Sequence, residues 1–130
     1  MNLYLARHGE TAYNRDGLGL GRADVPLTET GELQSAALGR RLAANQLTRV
    51  FSSPLQRARR MAQHAAGERG VPVETREALV EMDVGDTEGL TFAEMRERHA
   101  GFMRAWAGQD NLSLRMPGGE SLDDVAARLR

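Results

Sequence analysis

The sequence contains no cysteine, no lysine and no isoleucine, and its aromatic content is only 5%. Without cysteine there are no disulfides, no thiolate nucleophile and no cysteine-ligated zinc. Without lysine, all 17 basic residues are arginine, so every side-chain cation is a planar, permanently charged fork suited to oxyanions. Against 18 acidic residues the net charge is −1, too little for a strong overall field toward nucleic acid or an anionic membrane. Long hydrophobic runs are also missing. Leu3–Ala6 stops at Arg7, far short of the ~20 apolar residues of a spanning helix. It lacks the basic start and cleavage pattern of a signal peptide, so the expected location is cytoplasmic. What remains is an ordinary soluble composition of 130 residues, 41% hydrophobic and 27% charged.

The order of elements reads as alternating strand and helix. Asn2–Ala6 is predicted as a short buried strand, Thr48–Ser52 as a second and Val71–Thr75 as a third. Between the first two, residues 12–27 form a long loop with Gly17, Gly19 and Gly21, a length uncommon unless the segment binds something or is disordered. Thr28 is placed to cap a helix whose first turn holds Glu29 and Glu32. Small Ser35 and Gly39 beside Leu38 and Leu42 suit close helix–sheet packing. Ser53, Pro54 and Gln56 read as N-cap, first helical residue and capping-box partner of the next helix. Its face of Ala58, Met61, Ala62 and Ala65 has helical spacing, and Gly67 and Gly70 stop it. Thr91–Ala107 is helical with a break around Ala100-Gly101, and Ser121 caps a final helix. Parallel βαβ units follow, hence a doubly wound α/β fold with a mostly parallel sheet and helices on both faces. The last helix reaches Arg130 without a stop signal or a returning strand, which reads as a cut inside a larger domain, the alternative being a terminal helix that simply ends.

In such sheets ligands gather beyond the carboxyl ends of the strands. After the first strand come Arg7, His8 and Gly9: a guanidinium for phosphate oxygens, an imidazole able to attack phosphorus, and a residue permitting close backbone approach. A packed, hydrogen-bonded histidine at a strand end is the structural alternative for His8. After the second strand, Arg57 stands in the first turn of a helix, where free N–H groups and the dipole also attract an anion. After the third, Glu81 could protonate a leaving alkoxide, or be a loop carboxylate in water. Asp83, Asp86 and Glu88 cluster without any metal-ligand spacing, and His64 and His99 lie inside helices away from strand ends. No metal is expected.

Together these segments resemble the histidine phosphatase superfamily, also called phosphoglycerate mutase-like. Leu3–Thr11 with Asn14, Asp24–Gly31, Ser52–Ala58, Leu79–Glu81 with Gly85 and Glu88-Gly89, and Pro117–Ser121 follow its motifs in order, over nearly the whole chain. The resemblance implies that His8 becomes phosphohistidine. Arg7, Arg57 and Asn14 would hold the phosphoryl group, with backbone amides near Leu20 and Gly21 assisting. Glu81 would give a proton to the leaving group and later activate water. It implies no metal or organic cofactor for a phosphatase, whereas a mutase needs a phosphorylated primer. A second catalytic histidine follows a further strand in the family. Residues 1–130 therefore read as a single histidine phosphatase domain lacking its C-terminal strand or strands and that histidine. The short Met82–Ala107 segment is closer to small phosphatases such as α-ribazole phosphatase-like members than to mutases. The expected activity is hydrolysis of small phosphomonoesters; phosphoglycerate mutase and a weakly active phosphate-binding fragment are the alternatives. The expected partner is a small phosphorylated metabolite, not nucleic acid or membrane, with a homodimer admitted.

Overall fold

The computed structural model describes residues 2–108 and 111–130, apart from the side chain of Glu68. In chain order the helices and strands are α1 (Ala12–Arg15), α2 (Glu29–Leu42), β1 (Val50–Ser52), α3 (Gln56–Ala66), β2 (Val73–Thr75), α4 (Phe92–Arg98), α5 (Ala100–Trp106) and α6 (Leu122–Arg128). They fall into two compact units. The first comprises residues 1–12 and 24–77, the second residues 13–23 and 78–130.

The first unit is built on one βαβ crossover. β1 and β2 run parallel, with Val50 opposite Val73 and Ser52 opposite Thr75, and α3 connects them. Parallel neighbours need a crossover, so the alternation in the sequence led correctly to this pairing. α2 starts as expected: the Thr28 hydroxyl accepts the Gly31 N–H, and Glu29 and Glu32 lie in the first turn. Leu42, Leu55, Met61, Ala62, Ala65 and Ala66 form the buried apolar core.

Three sequence expectations change here. The segment Asn2–Ala6 forms no strand, and the described residues contain a two-stranded sheet in place of the wider doubly wound one. Leu3 and Leu5 are 76% and 89% exposed because no strand or helix among the described residues covers them. The stripe of small residues on α2 serves helix–helix packing, not helix–sheet packing. A methyl group at Gly39 would lie 2.5 Å from the carbonyl oxygen of His64 on α3. Finally, α3 begins at Gln56, later than the Ser53–Pro54–Gln56 pattern suggests. The Ser53 hydroxyl instead accepts the Leu55 N–H, and the helix start is capped from a distance by Asp24. Its Oδ1 accepts the Gln56 N–H at 2.7 Å, and its carbonyl accepts the Gln56 side-chain amide at 2.6 Å.

The second unit is organised differently. α4 and α6 each begin with a full capping box, Thr91 with Glu94 and Ser121 with Asp124. The helical stretch after Thr91 breaks at His99, so α4 and α5 are separate, and Phe102 and Trp106 on α5 stack with ring centroids 5.5 Å apart. The glycine-rich loop of residues 17–23 lies along residues 87–91: Gly19 N–H donates to Leu90, Gly89 N–H to Gly19, and Leu18 bridges Thr91.

Candidate active site

His8 sits where an extended segment turns into a clamped one. A methyl group at Gly9 would fall 2.4 Å from the Gly31 carbonyl oxygen, and one at Gly31 would fall 2.1 Å from that of Glu10. Only glycine at both positions allows residues 9 and 10 to lie against the first turn of α2. The Thr28 N–H donates to Glu10 O at 2.9 Å, and Glu10 N–H donates to the Gln34 side chain at 2.8 Å. Thr11, fully buried, bridges Leu27. So Gly9 serves the close backbone approach expected of it, and the neighbour it admits is the first turn of α2.

The imidazole of His8 is half-buried, and its Nδ1 lies 2.7 Å from the Gly9 carbonyl oxygen. A carbonyl oxygen has no hydrogen to give, so Nδ1 carries the proton and donates it. In the neutral ring Nε2 then keeps its lone pair. That is the tautomer a nitrogen nucleophile requires. Arg7, beside it, is exposed, whereas Arg57 is only 1% exposed in the first turn of α3. A guanidinium stays charged at any working pH, so burying one at a helix start leaves a fixed positive centre there.

The other expected residues lie in the second unit. Asn14 is exposed on α1, and its carbonyl accepts the Gly17 N–H. Leu20 is half-buried. Gly21 is buried, and its N–H donates to Glu88 Oε1 at 2.8 Å, as does that of Ala23. Glu88 is thus the anchor of the glycine-rich loop, a role hidden in the sequence because its acceptors' partners lie more than sixty residues away. Glu81 is exposed, and its carboxylate accepts the N–H of Met82 at 2.8 Å. Arg22 pairs with Glu120 at 2.9 Å and with Asp83 at 3.9 Å.

The remaining titratable side chains have local uses. Asp83 caps the Gly85 N–H, and among the described residues no group of three or more acidic or histidine side chains gathers as a metal site. His64 lies 3.2 Å from Glu32, whose carboxyl also takes both Arg60 Nε contacts at 2.9 Å. The Arg60 guanidinium, helped by His64, holds Glu32 below the usual glutamate range, although burial opposes it. His99 ends α4. Neither histidine adjoins His8 in the sequence motifs.

The model of the histidine phosphatase superfamily, branch 1, matches residues 3–130. The chain belongs to that superfamily. It is 43% identical over 129 residues to a bifunctional protein of Mycobacterium tuberculosis, covering 98% of this chain and 35% of that one. It is 34% identical to the probable phosphoglycerate mutase GpmB of Salmonella choleraesuis, covering 99% of this chain and 60% of that one. Among solved structures, the α-ribazole phosphatase from Shigella flexneri superposes with a TM-score of 0.81 at 32% identity, over 94% of this chain and 60% of that chain. The fold is therefore that of the histidine phosphatases, and this chain spans about a third to three fifths of the length of these relatives. Among the described residues no helix is long and apolar enough to cross a membrane.

Proposed function

We propose that the protein to which these residues belong hydrolyses small phosphomonoesters through a phosphohistidine at His8. The observation that carries this reading is the hydrogen bond from His8 Nδ1 to Gly9 O, which leaves Nε2 as the nucleophile. Nε2 attacks phosphorus; the N–P bond forms as the ester P–O bond breaks, and the leaving alkoxide takes a proton from Glu81. Water then attacks the phosphohistidine, giving its proton to Glu81 and releasing inorganic phosphate as the N–P bond breaks. Arg7, Arg57 and Asn14 hold the phosphoryl oxygens, with the backbone near Leu20 assisting; the expected help from the Gly21 amide is not kept, because its N–H is given to Glu88. In the intact protein the sheet is wider and mostly parallel, with helices on both faces, and a second histidine completes the centre. The step as written needs no metal or organic cofactor. The setting is the cytoplasm and the substrate a small phosphorylated metabolite.

Incubation with an aryl phosphate in EDTA tests this. The expected result is turnover with an acid-labile phosphoryl group on His8, both lost in His8→Ala. Absence of turnover, or a His8→Ala variant as active as the parent, would falsify the assignment. The similarity to a probable phosphoglycerate mutase supports a second reading, phosphoryl transfer between positions of phosphoglycerate. Isomerisation of 3-phosphoglycerate faster than its hydrolysis would favour it. The short Met82–Ala107 segment favours the phosphatase.

A further inference from the structure

The loop carrying Glu81 is gripped by charged groups that the phosphoryl chemistry above leaves unassigned. Arg128, the last residue of α6, donates through Nη1 to the carbonyl of Ala78 and through Nη2 to that of Val80, the latter at 2.6 Å. Arg22 approaches the Glu81 carbonyl at 3.5 Å. Glu120 links the two arginines: its Oε1 accepts from Arg22 Nη2 at 2.9 Å and from Arg128 Nε at 3.1 Å. Its Oε2 accepts the Asp83 N–H at 2.9 Å, and its own N–H donates to Asp83 O at 2.8 Å. The turn before it presses on the same loop. Asp86 N–H donates to Pro117 O at 2.7 Å, and a methyl group at Gly119 would fall 2.2 Å from Asp83 O.

The backbone is therefore held on both sides of Glu81, at Ala78 and Val80 before it and at Asp83 after it. The Glu81 carboxylate itself leans on the N–H of Met82, so its direction follows the orientation of that one peptide. A proton donor must be held in register with the atom it serves, and a misplacement of about 1 Å costs on the order of 10²-fold in rate. We propose that Glu120, bridging Arg22 and Arg128, is a positioning residue that sets the direction of the Glu81 carboxyl group. This rests on the reading of Glu81 as the proton donor. Arg22 then serves the reaction by bracing this loop, through Glu120, instead of meeting the substrate.

The test compares leaving groups. An alkyl alkoxide needs a proton to depart, whereas p-nitrophenolate departs without one. In Glu120→Gln, turnover of an alkyl phosphate is expected to fall about 10- to 100-fold while that of p-nitrophenyl phosphate changes less than about 3-fold. Glu81→Gln should show the same selectivity, more strongly. An equal loss on both substrates in Glu120→Gln, with Glu81→Gln still selective, overturns the positioning role. A Glu81→Gln variant without selectivity overturns the proton-donor reading. Amide exchange then judges the positioning separately, since Glu120→Gln should speed exchange at Met82 about tenfold with α4 unaffected. Unchanged exchange at Met82 overturns it. If Glu120→Gln does not fold, Arg22→Gln, which removes one arm of the bridge, is read by the same two criteria.

Discussion

Each of the two units of this chain is ordered internally by different physics. In the first, apolar side chains pack into a core, and α2 approaches both α3 and residues 9–10 until only glycine fits at the contacts. In the second, no apolar side chain is fully buried among the described residues; Thr87 and Ser121 are the buried side chains. Order there comes from carboxylates, namely Glu88 on the glycine-rich loop, Glu120 on the Glu81 loop, and Glu94 and Asp124 in capping boxes. Dispersion and apolar burial do not respond to pH, whereas hydrogen bonds to ionised carboxylates do. The unit with His8 and Arg57 therefore rests chiefly on packing, with the carboxylates of Asp24 and Glu32 confined to its helix starts, and the unit with Glu81 rests on charge.

The comparison can be broken most severely at Gly31. Gly31→Ala puts a methyl group against the Glu10 backbone and is expected to destabilise the first unit by about 3 kcal/mol, measured by urea unfolding. A loss below about 1 kcal/mol would mean the close approach relaxes easily.

Acid should act first on the other unit. Hydrogen bonds from Thr91 and Ser121 hold Glu94 and Asp124 below their ordinary values of 4.5 and 3.8. For Glu120, burial pushes upward, but the Asp83 N–H and Arg128 outweigh it and the net direction is down. Each lowered group binds fewer protons folded than unfolded. Its stabilisation is complete above the ordinary value and is lost as pH falls through the lower folded one. Amide exchange followed from pH 5 downward, corrected for intrinsic rates, should therefore show protection lost at Thr91, Ser121 and Asp83, whose N–H groups these carboxylates accept, before the interior α2 and α3 amides. Simultaneous loss in both units would refute the division.

A smaller effect is expected at Arg69, which donates to the carbonyls of Leu42, the last residue of α2, of Ala43 and Asn45 beyond it, and of Ala65 and Ala66 at the end of α3. Arg69→Met removes these caps and should cost about 1–2 kcal/mol by thermal or urea unfolding. Least of all should follow from Leu5→Ser. With Leu5 89% exposed, the midpoint of the 130-residue chain should move by less than about 0.5 kcal/mol equivalent. A larger loss would show that the segment Asn2–Ala6 is covered after all.

Local signals in the sequence were sufficient for the starts of α2 and α6, though not for α3, where the Ser53–Gln56 pattern gave way to a cap from Asp24. Thr28 and Ser121 cap the helices that follow them, and Val50–Ser52 and Val73–Thr75 pair in parallel around α3, as the alternation implied. His8, Arg7, Arg57, Asn14 and Glu81 stand out by residue type within family motifs, and the family itself is confirmed. Long-range partners were not legible. Asp24 caps α3 from thirty-two positions away, and Glu88 holds Gly21 from sixty-seven. Glu120 reads as one acid in a turn until Arg22, ninety-eight positions away, is brought to it. Asn2–Ala6 failed in the opposite sense, because an apolar extended segment states a need for a partner without supplying one.

By itself, then, the sequence determined membership in a phosphatase superfamily, the caps of α2 and α6, the crossover and the residue types available for phosphoryl chemistry. These follow from covalent neighbours and side-chain chemistry. Only the tertiary structure decided how the missing lysines and cysteines are compensated. Among the described residues no disulfide fastens the loops; arginines do so, with Arg69 holding carbonyls and Arg22 and Arg128 sharing one carboxylate. A planar guanidinium can serve several acceptors at once, and which acceptors meet it depends on contacts between distant segments.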